Sequence, residues 1–107
     1  MGVKQDRQVV FVPGSLRQFG KLKKYAQAIV EDGIEEHLIR SDPTVETNMK
    51  FKLRRASPHA DYELKIEPWR VFYRVEEYTQ ERTKSKITLI GEKKGNKLIV
   101  EGKEFQL

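Results

Sequence analysis

The spacing of hydrophobic residues changes once along this chain, and the change limits the folds that it can adopt. Over residues 15–40 apolar side chains recur every three or four positions, which indicates an amphipathic helix. A straight helix over this range would be roughly 37 Å long, whereas a domain of this size has a radius of gyration of only about 13 Å. We therefore expect a break between Gly20 and Lys24 and an antiparallel helix pair. Ser15, followed by Gln18, forms a capping-box pattern that predicts the start of the first helix.

From residue 49 onward, apolar and polar residues alternate, which indicates β-strands with one buried face. A run of β-branched and aromatic residues over 9–12, stopped by Pro13 and Gly14, predicts an earlier strand. This order predicts an α+β fold, with an N-terminal strand and helix pair packed on a mainly antiparallel β-sheet. The later strands are predicted at 49–53, Tyr62–Ile66, 71–75 and 86–90, with a polar loop over 76–85 and a small C-terminal β-hairpin formed by Lys97–Val100 and residues 103–107.

The composition limits the chemistry that the chain can perform. Its 107 residues favour a single domain over 1–107. There is no Cys, so disulfides, thiolate metal sites and a Cys nucleophile are excluded, and with only two His a metal site would have to consist mainly of carboxylates. We expect neither a metal nor a cofactor. No apolar run approaches the roughly 20 residues of a membrane span, and residues 1–10 lack the apolar core of a secretory signal. We therefore expect a cytoplasmic protein that does not contact a membrane.

Basic charge is concentrated in the middle of the sequence. The chain carries 21 Lys and Arg against 16 Asp and Glu, a net charge of +5, and residues 51–75 hold three of the five surplus charges. Such an excess indicates a polyanionic partner, either nucleic acid or an acidic protein. The alternative interpretation is a solvated surface that keeps the protein soluble.

A β-hairpin through Pro68 and Trp69 would place this charge on one face of the sheet. Leu64, Val71 and Tyr73 would then face the helices, while the charged residues between them would face outward. The predicted outer pairs are Glu67 with Arg70, Lys65 with Phe72, and Glu63 with Arg74.

The predicted outer face combines cations with an exposed aromatic ring, Phe72, which suits an RNA-binding sheet. Cations hold phosphates while a ring stacks on a base. The neighbouring strand is expected to extend this face with Lys50, Lys52 and Arg54. Cross-strand Glu–Arg pairs are by themselves a sufficient structural reason for such charges, so that interpretation stays open.

Two other patterns carry little chemical signal. Residues 91–97 contain glycines and lysines but lack the spacing of a phosphate-binding loop, and a turn is predicted there. Ser57, His59 and Asp61 lie too close in sequence to form a catalytic triad. His37 is expected on the helix beside Leu38, as a partly buried packing residue rather than a ligand.

Residues 62–66 and 70–75 resemble the RelE/ParE superfamily of toxins from type II toxin–antitoxin systems. Those proteins show the pattern Y-x-L-x-x, then Y-R-V-x-Y-x-V, then a strand ending in Gly and basic residues, a place that residues 87–94 fill here. The first half is similar too, with a strand, a helix pair opened by residues 15–18, and Asp42-Pro43. The resemblance covers about residues 8–97.

The resemblance implies a RelE-like fold and a cognate antitoxin, with which the chain would form a hetero-oligomer. It also implies metal-independent cleavage of mRNA on the ribosome, in which the ribose 2′-OH attacks the adjacent phosphate. Lys65 falls on a family lysine of the middle strand, Arg70 on the arginine that offsets transition-state charge, and Lys93 on a family arginine. Arg54 falls on an RNA-contacting position. The remaining residues of the predicted RNA-binding set are Lys52, Phe72, Arg74 and Lys94.

The sequence also departs from the family pattern. Glu63 replaces the second strand lysine and is a candidate general base, Lys93 lacks the planar fork of an arginine, and a C-terminal tyrosine has no counterpart, Ile99 being the nearest residue. The superfamily includes gyrase-poisoning members and members without toxicity. A DNA gyrase inhibitor and an inactive antitoxin-binding module are therefore the alternative functions.

Overall fold

A computed structural model describes residues 6–79 and 81–107 of the chain. Helices lie on one face of a single twisted sheet, so the predicted α+β class is confirmed. The predictions that involve residues 1–5 and Gln80 lie outside the described residues. The strands are β1 (Asp6–Phe11), β2 (Lys50–Lys52), β3 (Tyr62–Ile66), β4 (Trp69–Tyr78), β5 (Arg82–Lys94), β6 (Lys97–Val100) and β7 (Lys103–Glu104), and the helices are α1 (Pro13–Gly20) and α2 (Lys24–Ile34), the latter continued by a π-helical turn (Glu35–Ile39).

The strands β2 to β7 form an antiparallel path in sequence order, and β1 joins it by pairing in parallel with β5. Because β1 pairs with residues 82–87, the first half of β5 has a partner strand on each side. This pairing makes the predicted polar loop over 76–85 wrong, since β4 continues to Tyr78 and β5 begins at Arg82. The small residues Thr83 and Ser85 are buried in this extension despite their polarity.

The helix pair breaks between Gly20 and Lys24, as predicted, but its start differs from the prediction. The first helix begins at Pro13, a residue that suits the first helical position because it has no N–H to satisfy. Ser15 is buried, and its hydroxyl donates to the Ile87 carbonyl at 2.7 Å, while the Gln18 side-chain oxygen accepts from the Ile90 N–H at 2.8 Å. The predicted capping box is therefore wrong, because both side chains bind β5 instead.

The main core lies between the helices and the inner face of the sheet. Val30 and Leu38 from the helical segments pack with Leu64, Val71 and Tyr73 from the strands. The Tyr73 hydroxyl donates to the Pro43 carbonyl at 2.7 Å, which ties the segment after the helices to the sheet. The core thus contains the strand residues that the alternating pattern assigns to the inner face.

The strand β2 presents the opposite face from the one predicted. Lys50 pairs with Leu64 and is buried on the inner side, where its ammonium donates to the carbonyls of His37 and Asp42 at 2.7 Å each. Burial lowers the pKa of Lys50. The ammonium satisfies carbonyls at the end of the helical segment, which a hydrophobic residue could not do. Phe51 lies on the outer face instead, opposite Glu63.

The turn between β3 and β4 is formed by Glu67 and Pro68, so the predicted Pro68–Trp69 loop is wrong by one residue. Trp69 is the first residue of β4 and is buried against Tyr25 of α2. Each strand residue therefore pairs two positions away from its predicted partner, so Glu63 pairs with Phe72 and Lys65 pairs with Arg70. A two-residue shift keeps every side chain on its predicted face.

A second, smaller core covers the middle of the outer face. Phe72 is 1% exposed and packs with Leu89 and Leu98, beneath Ala60 from the loop after β2. Phe105 of the C-terminal segment also packs against this cluster. The prediction that Phe72 is exposed is therefore wrong, because a loop and the C-terminal segment cover the sheet there.

The C-terminal hairpin of β6 and β7 is confirmed, although β7 contains only Lys103–Glu104. Its turn places Glu101 and Gly102 at φ values of 51° and 82°, a conformation that favours glycine. The Glu101 carboxylate accepts from Arg17 at 3.1 Å and from Lys21 at 2.9 Å. These hydrogen bonds lower the pKa of Glu101 to about 2 and hold the hairpin against α1.

Candidate functional site

Three of the four predicted catalytic residues meet on two adjacent strands of the outer face. Lys65 on β3 lies directly opposite Arg70 on β4, and Glu63 lies two residues before Lys65. Arg70 is in turn opposite Gly91 of β5, so Lys93 falls on the same face, next to the β3–β4 turn. The Lys93 N–H donates to the Pro68 carbonyl at 2.8 Å, which fixes this end of β5 beside the turn. The structure thus brings Glu63, Lys65, Arg70 and Lys93 to one end of the outer face.

Arg70 is the best-fixed side chain of this cluster. Its Nε lies 3.2 Å from Glu63, its Nη2 lies 3.0 Å from Glu67, and its Nη1 donates to its neighbour's carbonyl, that of Trp69, at 3.1 Å. The arginine side chain is only 8% exposed. All three guanidinium nitrogens therefore have partners, and the two carboxylates neutralise its charge.

The two lysines of the cluster have different surroundings. The Lys65 ammonium lies 5.4 Å from the centre of the Phe51 ring, within the range of a cation–π contact. The Lys93 side chain is exposed. The partner of Glu63 is Arg70 rather than the predicted Arg74, because the register is shifted by two residues. A carboxylate that forms an ion pair with a guanidinium restricts the orientation of that group.

The predicted RNA-binding residues do not all join this cluster. Arg74 is on the outer face, but its guanidinium donates to the Pro58 carbonyl and holds the loop after β2. Arg54 lies exposed in that same loop. Phe72 is buried, so its ring cannot stack on a base.

Two predicted cations lie on the other side of the sheet. Lys52 pairs with Tyr62, whose face is that of Leu64 in the main core. Lys94 alternates with Lys93 and lines a cavity of about 320 Å³ next to α1 together with Gln18 and Lys21. Because they lie on the opposite side of the sheet, neither lysine can contact the same phosphate as Arg70.

The remaining sequence candidates form no catalytic arrangement. The His59 ring packs edge-on against Phe105 with 4.9 Å between ring centres, and the Ser57 hydroxyl accepts from the His59 backbone N–H. His37 lies in the π-helical turn and is half-buried, as predicted. Within residues 6–79 and 81–107, no group of three His, Asp or Glu side chains could hold a metal ion. No helix in this part of the chain is long and apolar enough to cross a membrane.

The predicted contact between Glu67 and Arg70 is present, but Glu67 lies in the β3–β4 turn rather than at the end of a strand. From the turn it reaches Arg70 three positions further along, with 3.0 Å between its carboxylate and Nη2. The sequence signal for this contact is an acidic residue three positions before an arginine, with a proline between them. Phe51, which lies beneath Lys65, was missed because β2 was assigned the opposite face.

Comparison with known proteins supports the fold. The sequence matches no protein-family model and no curated protein. The structure is similar to a chain in the crystal structure of the toxin–antitoxin complex RelBE2 from Mycobacterium tuberculosis, with a TM-score of 0.59 and 16% sequence identity. The similarity covers 82% of this chain and 99% of that chain. The RelE-like fold indicated by the sequence is therefore confirmed.

Proposed function

We propose that this chain is the toxin component of a type II toxin–antitoxin system, acting in the cytoplasm as a ribosome-dependent mRNA endonuclease that a cognate antitoxin neutralises. The proposal is supported by the fold shared with a chain of a toxin–antitoxin complex. The observation that carries it is the cluster of Lys65, Arg70 and Lys93 on one end of the outer face. Three neighbouring cations repel one another, whereas each of them attracts an anionic phosphodiester.

The chemistry requires no metal. The ribose 2′-oxygen would form a bond to the adjacent phosphorus while the bond to the 5′-oxygen breaks, leaving a 2′,3′-cyclic phosphate and a free 5′-hydroxyl. The 2′-OH loses its proton and the leaving oxygen gains one. Arg70 would offset the negative charge that develops on the phosphate, and Lys65 and Lys93 would hold the neighbouring backbone. Glu63 remains the candidate general base, although its contact with Arg70 gives it an orienting role as well.

Expression of the chain without a partner tests the proposal. Wild-type protein should arrest growth and cut mRNA in a translation extract, whereas Arg70→Ala should lose both effects and still bind the antitoxin encoded beside the gene. Arg82→Ala is the matched control, because Arg82 is exposed at the other end of β5. Arg70→Lys is a second variant, which retains the positive charge but lacks the planar guanidinium. It keeps the test valid if Arg70→Ala fails to fold. A harmless wild-type protein, or an Arg70→Ala variant that is fully toxic, would refute the proposal.

An inactive antitoxin-binding module is the second candidate, and one observation favours it. Arg70 is already paired with Glu63 and Glu67, so no free guanidinium is presented. This candidate predicts antitoxin binding without cleavage products in translation extracts. DNA damage without mRNA cleavage would instead indicate a gyrase inhibitor.

A further inference from the structure

The two carboxylates that bind Arg70 are held very differently. Glu63 lies within a strand and its side chain is 17% exposed, whereas Glu67 lies in the β3–β4 turn and its side chain is 67% exposed. Glu63 contacts Nε, and Glu67 contacts Nη2 at 3.0 Å. One carboxylate is therefore part of the sheet surface, and the other can move into solvent without disturbing the fold.

An ion pair with an exposed partner is weak, because water solvates the released charge. Such pairs contribute little to stability, whereas a desolvated pair is costly to break. The nitrogen edge that a carboxylate occupies on a guanidinium is also the edge that a phosphate occupies, since both anions present two oxygens in similar geometry. A phosphate can therefore replace Glu67 while Glu63 keeps Arg70 oriented.

The local charge changes in the direction that phosphate binding requires. With both carboxylates in place, the charge of Arg70 is neutralised. Departure of Glu67 exposes the outer edge of Arg70 between the two lysines. The same movement removes the negative charge nearest to an incoming phosphodiester.

We propose that Glu67 is an exchangeable gate that occupies the phosphate-binding edge of Arg70 in the free protein and is displaced by an RNA phosphodiester. This inference rests on the proposed function, because it assumes that Arg70 binds RNA. It explains how a guanidinium with every nitrogen occupied can still serve that function. In this proposal the Glu67 carboxylate competes with the RNA phosphate for Arg70, whereas a purely structural ion pair would not.

RNA binding by the whole chain tests the gate, with a fluorescently labelled single-stranded RNA of about ten nucleotides as the probe. Glu67→Gln keeps the size of the side chain and removes its charge. Glu31→Gln is the matched control, since Glu31 is exposed on α2 in the other layer and its loss changes the net charge equally. Fluorescence anisotropy should show an affinity gain for Glu67→Gln about two- to fivefold larger than that for Glu31→Gln.

Variants in an Arg70→Ala background separate the gate from the function. There, Glu67→Gln should gain no more affinity than Glu31→Gln, because the site that Glu67 blocks is absent. Equal gains in the native background, with RNA binding still weakened by Arg70→Ala, would overturn the gate and leave the proposed function standing. RNA binding that does not depend on Arg70 would overturn both. Thermal unfolding of each variant confirms that the comparison is made between folded proteins.

Discussion

Replacement of Phe72 by alanine distinguishes the two roles that this residue could have. The sequence pattern assigns the ring to an exposed RNA-binding face, where its removal would weaken binding and leave stability nearly unchanged. In the structure the ring is 1% exposed and packs in the second core with Leu89, Leu98 and Val100. We therefore expect Phe72→Ala to destabilise the protein.

The expected magnitude follows from the burial of the ring. Truncation of a fully buried phenylalanine costs about 3–5 kcal/mol, because the lost transfer free energy adds to the cost of the cavity. The total free energy of unfolding of such a domain is about 5–15 kcal/mol. The melting temperature should fall by at least roughly 12 °C, and the urea midpoint should fall by roughly 2 M for a slope near 2 kcal/mol/M.

Urea unfolding followed by tryptophan fluorescence measures this change. Trp69 is the chain's single tryptophan and is buried in the main core, so its emission reports global unfolding. Leu16→Ala is the control, because that apolar side chain is 56% exposed on α1 and its loss should change stability by less than about 0.5 kcal/mol. If Phe72→Ala is as stable as Leu16→Ala and binds RNA less well, the assignment of Phe72 to a core is wrong.

Two further predictions concern charged residues that support the fold. Lys50→Met should destabilise the protein by about 2 kcal/mol, because two backbone carbonyls lose their ammonium donor. Lys52→Met, two residues further along, is the control and should leave stability nearly unchanged in the same urea assay. Glu101 has a folded-state pKa of about 2, below its ordinary 4.5, so its contribution to stability is complete above about pH 4.5 and is lost as the pH falls toward 2. Glu101→Gln should therefore lose less stability than wild type over that pH interval, and Glu104→Gln is the exposed control. Parallel acid-unfolding curves for Glu101→Gln and wild type would contradict the assignment of the ion pair.

Local spacing was enough to predict most of the elements. The three-to-four residue period gave the helix pair and its break, and the two-residue period gave the inner face of Leu64, Val71 and Tyr73. These signals are local, because a helix or a strand must present one apolar face whatever it packs against. The resemblance in residues 62–75 likewise indicates the RelE-like fold without information on any tertiary contact.

The errors occurred where a distant segment decides the environment of a residue. Lys50 is buried because carbonyls at the end of the helical segment need a donor, and Phe72 is buried because a loop and the C-terminal segment cover it. The strand β5 begins early because β1 pairs with it from the other end of the chain. None of these contacts leaves a periodic signal in the sequence around the residue concerned.

In the candidate site, too, some features follow from local spacing and others depend on contacts between distant segments. By itself the sequence determined that Glu63, Lys65 and Arg70 share one face, because strand alternation survives a register shift of two residues. Only the tertiary structure decided that Glu63 binds Arg70 rather than Arg74, since a one-residue change in the turn selects which charges meet. Alternation is a property of each strand alone, whereas ion pairing depends on the distance between atoms of two strands and a turn.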